Sequence, residues 1–450
     1  MLQDSKNFKV TKGTIFTSFF TQFVQYGINL FILPIILNRF SSETLAIWYI
    51  FISIHSITNL LDFGLSPSFT RFFSYIFSGA NKIENIGIPK EYDGDQISIP
   101  LLNDLLYITK RSYLIISCII FILLLIFGSL YLNYIIDLFH NFKLLSTWIL
   151  FAIVISLGYY VNYYIIIIRG KGLITLNNII IISSKIIYLL VLIIAIEIGW
   201  GLTSMVIALG ASVIIQIIIC SRKYLNIEEK NELSNINISY FGTIKFKTIW
   251  TNAQKVGLTS IGVFLLSQTG VILSSIFLSL DDVAKLGLIL QLFSVLVVIS
   301  RVCLTTYIPK ISALWIRGEK DRIKRYFTIS QLTGYIIFLG GVIFCIIFGN
   351  KFLKLIHSQT MLPDNYVIIL YGIFYLMEIT HGNCTTLIST KNEIPFYKSA
   401  IISGIVSLVI TISLLKFNFG IYSFPIGLIL GSLPYNSWKW PLVVYRDLYK

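Results

Sequence analysis

The chain has 450 residues, of which 56% are apolar and only 12% charged, and its mean hydropathy is +0.81. A water-soluble domain carries about a quarter charged residues, so this composition excludes that class and predicts an all-α, polytopic membrane protein. The formal charge of +14 does not signal a nucleic-acid partner, because the basic residues are sorted by topology along the chain.

About 20 apolar residues are enough to cross roughly 30 Å of hydrocarbon. On that measure the sequence predicts twelve spans, near 13–37, 44–62, 113–136, 147–168, 174–197, 202–221, 253–280, 283–308, 328–348, 365–388, 396–416 and 421–438. An even number places both termini on one side. With that side cytoplasmic, 26 of the 35 Lys and Arg residues fall in inside segments. Six fall in outside loops or at the outer ends of spans, and three, Lys185, Lys255 and Arg301, are counted within spans. The positive-inside bias therefore predicts cytoplasmic termini. The first span is too long for the apolar core of a signal peptide and no small-residue cleavage site follows Asn38, so it is expected to stay in place. All five cysteines lie in predicted spans without a CxxC pattern and read as apolar fillers. No catalytic constellation, metal site or cofactor is expected.

In chain order, span 13–37 places Thr14, Ser18, Thr21, Gln22, Gln25 and Asn29 at intervals of three or four, which makes one polar helix face. Span 44–62 repeats the device with His55, Asn59 and Asp62, and an inside connection then runs from Phe69 to Ser112. Span 147–168 holds Tyr159-Tyr160-Val161-Asn162-Tyr163-Tyr164, too central for an interfacial aromatic belt. Tyr160, Tyr163 and Tyr164 share a face. Phenol rings suit sugar rings and equally suit helix packing, and both readings stand. Span 174–197 carries Asn178, Lys185 and Tyr188. The charged, Asn-rich connection 222–251 divides an N-terminal six-helix lobe, 1–221, from a C-terminal one, 252–450. In the second lobe, Lys255 sits at a helix start, span 283–308 carries Gln291, Ser294, Arg301 and Thr305, and span 365–388 carries Tyr371, Tyr375, Glu378, His381 and Thr385. The outside turn Asp281-Asp282 reads as a helix cap. A short echo links the halves: Ser41-Ser42-Glu43 with Pro67 and Arg71 in one, Asp281-Asp282 with Pro309 and Lys310 in the other. Six helices per half would relate the halves by an axis along the membrane normal.

A full charge at the bilayer centre costs about 2.5–3.5 kcal/mol, so Lys185 and Glu378 predict a polar interior. They either pair across the bundle or line a transport path. Lys185 and Arg301, with Lys255, Gln25 and the three tyrosines, are the candidate substrate-binding residues. Glu378 and His381, at i and i+3, both titrate. They form either a site for a coupling H+ or Na+ or a hydrogen-bonded pair, and Asp62 joins them as a candidate ion-coupling group.

Leu61-Asp62-Phe63-Gly64-Leu65-Ser66-Pro67, followed by Arg71, resembles the second-helix signature of bacterial O-antigen and capsular polysaccharide flippases. Leu33-Pro34 with Arg39-Phe40 ahead of Trp48, and Arg169-Gly170 after the fourth span, fit the same family. The resemblance implies the multidrug/oligosaccharidyl-lipid/polysaccharide exporter superfamily, with two six-helix lobes around a central cavity and alternating access. It further implies an undecaprenyl-diphosphate-linked oligosaccharide as cargo, an ion gradient as driving force, and a place in the bacterial inner membrane. A polysaccharide polymerase and a chain-length regulator are the protein partners it suggests. A drug/cation antiporter of the same superfamily is the alternative. A membrane polymerase or glycosyltransferase is disfavoured, because such enzymes need a substantial outside loop and none of the predicted outside connections is long.

Overall fold

The computed structural model describes residues 12–80, 97–225, 229, 231, 246–317, 319–390 and 395–449, and among them every regular element is helical. Hydrocarbon offers backbone groups no partner, and a helix satisfies them within its own segment. Among the described residues nine helices are long and apolar enough to cross a membrane, or ten if the bent pair Gly257–Leu266 and Thr269–Phe277 forms one span. The protein is therefore a multi-pass membrane protein.

Contacts divide the chain into two compact units, Met1–Leu33 with Leu61–Gly257 and Pro34–Leu60 with Leu258–Lys450. The first division falls inside α1 (Lys12–Arg39) at Pro34, where a helix lacks one backbone donor. Sequence places the helical hairpin after Pro34 in the N-terminal lobe, whereas its contacts lie with the unit that holds the C-terminal half. The second division falls at Gly257, just beyond the predicted linker, most of which lies outside the described residues.

In the first unit, α3 (Leu65–Phe77) and α4 (Ile99–Leu123) correct the expected inside connection from Phe69 to Ser112. Phe69, Phe72, Phe73 and Ile76 recur with helical period and are all buried, and α4 buries Leu101, Leu102, Leu105 and Ile108 well before the predicted start of its span. Lys110 and Arg111 interrupt the apolar run and hide this part of the helix from a hydropathy window. After α4 come α5 (Ser129–Ile136), α6 (Phe142–Gly170), α7 (Ile174–Glu197) and α8 (Leu202–Lys223). Gly170 permits close packing at the end of α6, because a Cβ there would fall 2.4 Å from Phe73 Cβ on α3.

The second unit contains α2 (Ser42–Thr58) and, from Leu258 on, the C-terminal part of α9 (Phe246–Ser267), then α10 (Thr269–Phe277), α11 (Leu280–Arg317), α12 (Lys320–Phe344), α13 (Asn350–Leu355), α14 (Asn365–Ser389), α15 (Tyr397–Lys416), α16 (Ser423–Ser432) and α17 (Lys439–Tyr449). Ser279 Oγ accepts the backbone N–H of Asp282 at 3.2 Å and Lys285 pairs with Asp281 at 2.6 Å, so Ser279 caps α11 and the two aspartates occupy its first turn. A repeat absent from the hydropathy pattern also emerges. Both α4 and α12 run 25 residues and then widen into a five-residue π-helical turn, Leu124–Gly128 and Cys345–Gly349, each ending Ile-Phe-Gly. A Cβ on Gly128 would fall 2.5 Å from the Trp148 ring, and one on Gly349 2.5 Å from Leu362 Cδ1.

The hairpin from Pro34 is clasped to this unit at several points. Tyr49 donates to Gln291 Oε1 at 2.9 Å, Asn38 to the Ile356 carbonyl at 2.8 Å and Ser42 to the Gln359 carbonyl at 3.0 Å. Gly287 lies under the Tyr49 ring, where a Cβ would come within 2.2 Å. Gly287→Ala is expected to force α2 and α11 apart at a cost of about 1–3 kcal/mol, read as a lower melting temperature in detergent. An unchanged melting curve would contradict so close an approach.

Candidate functional site

Three of the charged groups singled out by sequence meet in the second unit around α11, α12 and α14. Arg301 on α11 reaches across to α14. Its Nε donates to Asn383 Oδ1 at 3.1 Å, and its Nη2 donates to the Gly382 carbonyl at 2.8 Å and to Thr386 Oγ1 at 2.9 Å. Gly382 makes room for this, since a Cβ there would sit 3.0 Å from the guanidinium carbon. Asn383 in turn donates to Gln331 Oε1 on α12 at 2.9 Å. All these partners are neutral, and among the described residues no carboxylate lies within ion-pair distance of Arg301. A guanidinium held in a fork of neutral acceptors keeps its net charge.

Glu378 lies one turn before Gly382, with Oε1 3.5 Å from His381 Nδ1. Among the described residues neither ring nitrogen of His381 has a hydrogen-bond partner, and neither does the buried Nε2 of Gln331. The carboxylate is about one-third exposed and the imidazole mostly buried. Two titratable groups with unused hydrogen-bonding capacity form an arrangement able to take up a cation. Tyr371 and Tyr375, on the predicted polar stripe of α14, are instead packed with Phe293, at centroid distances of 6.3 and 5.4 Å.

Lys185 belongs to the first unit. It lies on the side of α7 that carries the buried Asn178, Tyr188 and Leu192, away from the exposed Ile179, Ile186 and Leu190. Its Nζ sits 5.8 Å from the Tyr188 ring centroid, and among the described residues no carboxylate is within ion-pair distance. The ammonium is partly buried and unneutralised. Lys171 is the contrasting case, paired with Glu229 and placed over the Phe77 ring.

The remaining candidates separate by what they touch. Tyr160, Tyr163 and Tyr164 form a ring cluster with Tyr224 beyond α8, with Tyr163 and Tyr164 centroids 3.9 Å apart and Tyr164 and Tyr224 4.7 Å apart. That geometry joins α6 to the end of α8, and Tyr163 is buried within it. Asp62 accepts from the Tyr113 hydroxyl and, at 3.2 Å, from the Ser66 backbone N–H. It caps the first turn of α3 across Phe63 and Gly64, whose φ are 40° and 77°. Phe63 stacks on Trp250 at 5.3 Å, which accounts for a bulky residue in that backbone region. The Asp-Phe-Gly signature is thus built into a turn, with both Asp62 oxygens occupied. Gln25 is half-buried on α1 beside the buried Thr21, and the Lys255 side chain lies outside the described residues. Sequence reading missed Gln331 and Asn383. Asn383 falls between the members of the α14 stripe, and Gln331 lies among Thr328, Ser330 and Thr333 near the start of its span, where polar residues carry no distinct signal. Among the described residues no group of three His, Cys, Asp or Glu side chains is placed to hold a metal.

No family model matches the sequence, and no curated protein does. Solved structures do. An inward-facing multidrug resistance MATE family transporter of the MOP superfamily aligns with a TM-score of 0.64 at 11% identity, over 94% of this chain and 95% of that one. The MATE multidrug transporter DinF-BH, in complex with a ligand, aligns at 0.59 and 15% identity, over 99% and 97%. The fold is that of the MATE transporters. A MOP superfamily transporter from Pyrococcus furiosus, whose reverse polarity of binding pocket suggests a different function, aligns at 0.53 and 13% identity, over 97% and 95%. At these identities the likeness to MATE proteins reaches the backbone path and no further, so side-chain roles rest on this chain's own geometry.

Proposed function

We propose that this chain is an ion-coupled, alternating-access transporter that moves an undecaprenyl-diphosphate-linked oligosaccharide from the cytoplasmic to the periplasmic leaflet of a bacterial inner membrane. On this reading it has twelve spans and cytoplasmic termini, and serves O-antigen or capsule assembly. The observation that carries the reading is the charge state of its interior. Lys185 lies deep in an apolar helix with no anionic partner among the described residues, and Arg301 donates its hydrogen bonds to neutral acceptors, with the Glu378 carboxylate near enough to interact but beyond ion-pair distance. An unneutralised cation at such depth is costly, and it is useful where a diphosphate must exchange its hydration for protein contacts. The polyprenyl tail needs no such shelter and stays in lipid.

A drug/cation antiporter is the second reading, and the likeness to multidrug transporters favours it. A cationic drug would meet repulsion at Lys185, whereas an anionic cargo would not. In a strain lacking this protein, the lipid-linked unit should accumulate on the cytoplasmic leaflet. Normal arrival at the periplasmic face would reject the flippase reading. For coupling, Glu378→Gln removes the carboxylate 3.5 Å from the His381 imidazole. Transport in vesicles is expected to lose its response to an imposed H+ or Na+ gradient, and an unaltered response would assign the coupling elsewhere.

A further inference from the structure

The C-terminal helix α17 presents three distinct faces. Trp440, Val444 and Leu448 are buried in one core cluster with residues of α11, α12 and α14, and Trp440 Nε1 donates to Ser399 Oγ at 2.9 Å. A second apolar stripe, Trp438, Leu442, Tyr445 and Tyr449, repeats at intervals of three or four and points away from the core, with Trp438 and Tyr445 each 53% exposed. Lys439 and Arg446, seven residues apart, share a third face. The adjoining start of α12 adds Lys320, Lys324 and Arg325, and Lys324 Nζ lies 4.1 Å from the Tyr449 ring centroid, which ties the two basic groups together. Arg322 alone in this patch is neutralised, by Glu319 at 2.8 Å. Among the described residues the other five cations have no carboxylate within ion-pair distance.

We infer that α17 and the first turns of α12 form a docking surface for anionic phospholipid headgroups. The exposed aromatic stripe enters the headgroup and acyl boundary, and the five cations engage lipid phosphates. The charge pattern selects this occupant over a protein partner: an amphipathic helix with aromatic and leucine side chains on one face and Lys and Arg beside it is the form that binds an anionic bilayer surface. On the topology proposed above this end of the chain is cytoplasmic, where anionic lipids attract basic segments. The proposal is independent of the cargo.

The full chain in detergent, titrated separately with phosphatidylglycerol and phosphatidylcholine, should retain the anionic lipid preferentially when adducts are counted by native mass spectrometry. The preference should fall by about fivefold for each charge removed in the series Lys324→Gln, Arg325→Gln, Lys439→Gln and Arg446→Gln. Equal retention of the two lipids by the wild type, or a preference untouched in the fourfold variant, would overturn the assignment. A second measurement needs no charge variant. Brominated phosphatidylglycerol should quench the wild type more than Trp438→Phe, and equal quenching of the two would also overturn it.

Discussion

Lys185→Ala is expected to lower surface polysaccharide by about tenfold to a hundredfold while leaving the amount of protein in the membrane unchanged. The first half of that expectation rests on charge. Removing a charge-assisted contact to phosphate costs about 1.5–3 kcal/mol, and each 1.4 kcal/mol is a factor of ten. The second half rests on geometry. The ammonium lies by the Tyr188 ring and, among the described residues, has no carboxylate within ion-pair distance, so its removal strands none. Alanine is the strongest helix former, and the change relieves α7 of a partly buried charge. Lys185→Arg should restore part of the polymer, since it returns the charge with different reach. Quantified polymer beside an immunoblot of membranes checks the result. Normal polymer in Lys185→Ala would remove the charge argument.

Arg301→Ala should abolish export and also weaken the fold, which separates it from Lys185→Ala. Three donated bonds join α11 to α14 through this one side chain, and its loss leaves the buried Asn383 Oδ1 without that donor. An unsatisfied buried acceptor costs about 1–3 kcal/mol, which should appear as a lower melting temperature in detergent. Arg301→Lys keeps the charge but cannot reproduce the fork, so it should regain some export without regaining the stability. Gly382→Ala offers an independent check, because its Cβ would fall 3.0 Å from the guanidinium carbon. Arg301→Ala with wild-type melting behaviour would show that the α11–α14 link contributes little.

Hydropathy and charge sorting made the membrane class, the helical content and most helix positions legible, because a span must be apolar over its whole length whatever it packs against. They failed where a helix carries charge. Lys110 and Arg111 concealed the start of α4, and the aromatic period of α3 was mistaken for a connection. Residue type alone did not separate duties that depend on neighbours. Asp62 and Glu378 are both acids at the predicted polar positions, yet Asp62 has its oxygens taken up by Tyr113 and Ser66 while Glu378 faces an unsatisfied imidazole. The tyrosines of α6 posed the same difficulty, since Tyr163 and Tyr164 meet Tyr224 at 6.4 and 4.7 Å, a contact that residue type does not announce. The packing of the Pro34–Leu60 hairpin against α11 had no sequence signal beyond a proline and a glycine, because it depends on partners more than 200 residues away.

Purified protein in vesicles, offered a diphosphate-linked oligosaccharide lipid and a cationic dye under an imposed ion gradient, tests the central claim that the interior is built for a negative cargo. The account expects translocation of the lipid-linked sugar, diminished in Lys185→Ala, and no gradient-dependent movement of the dye. Dye transport without movement of the lipid-linked sugar would contradict it.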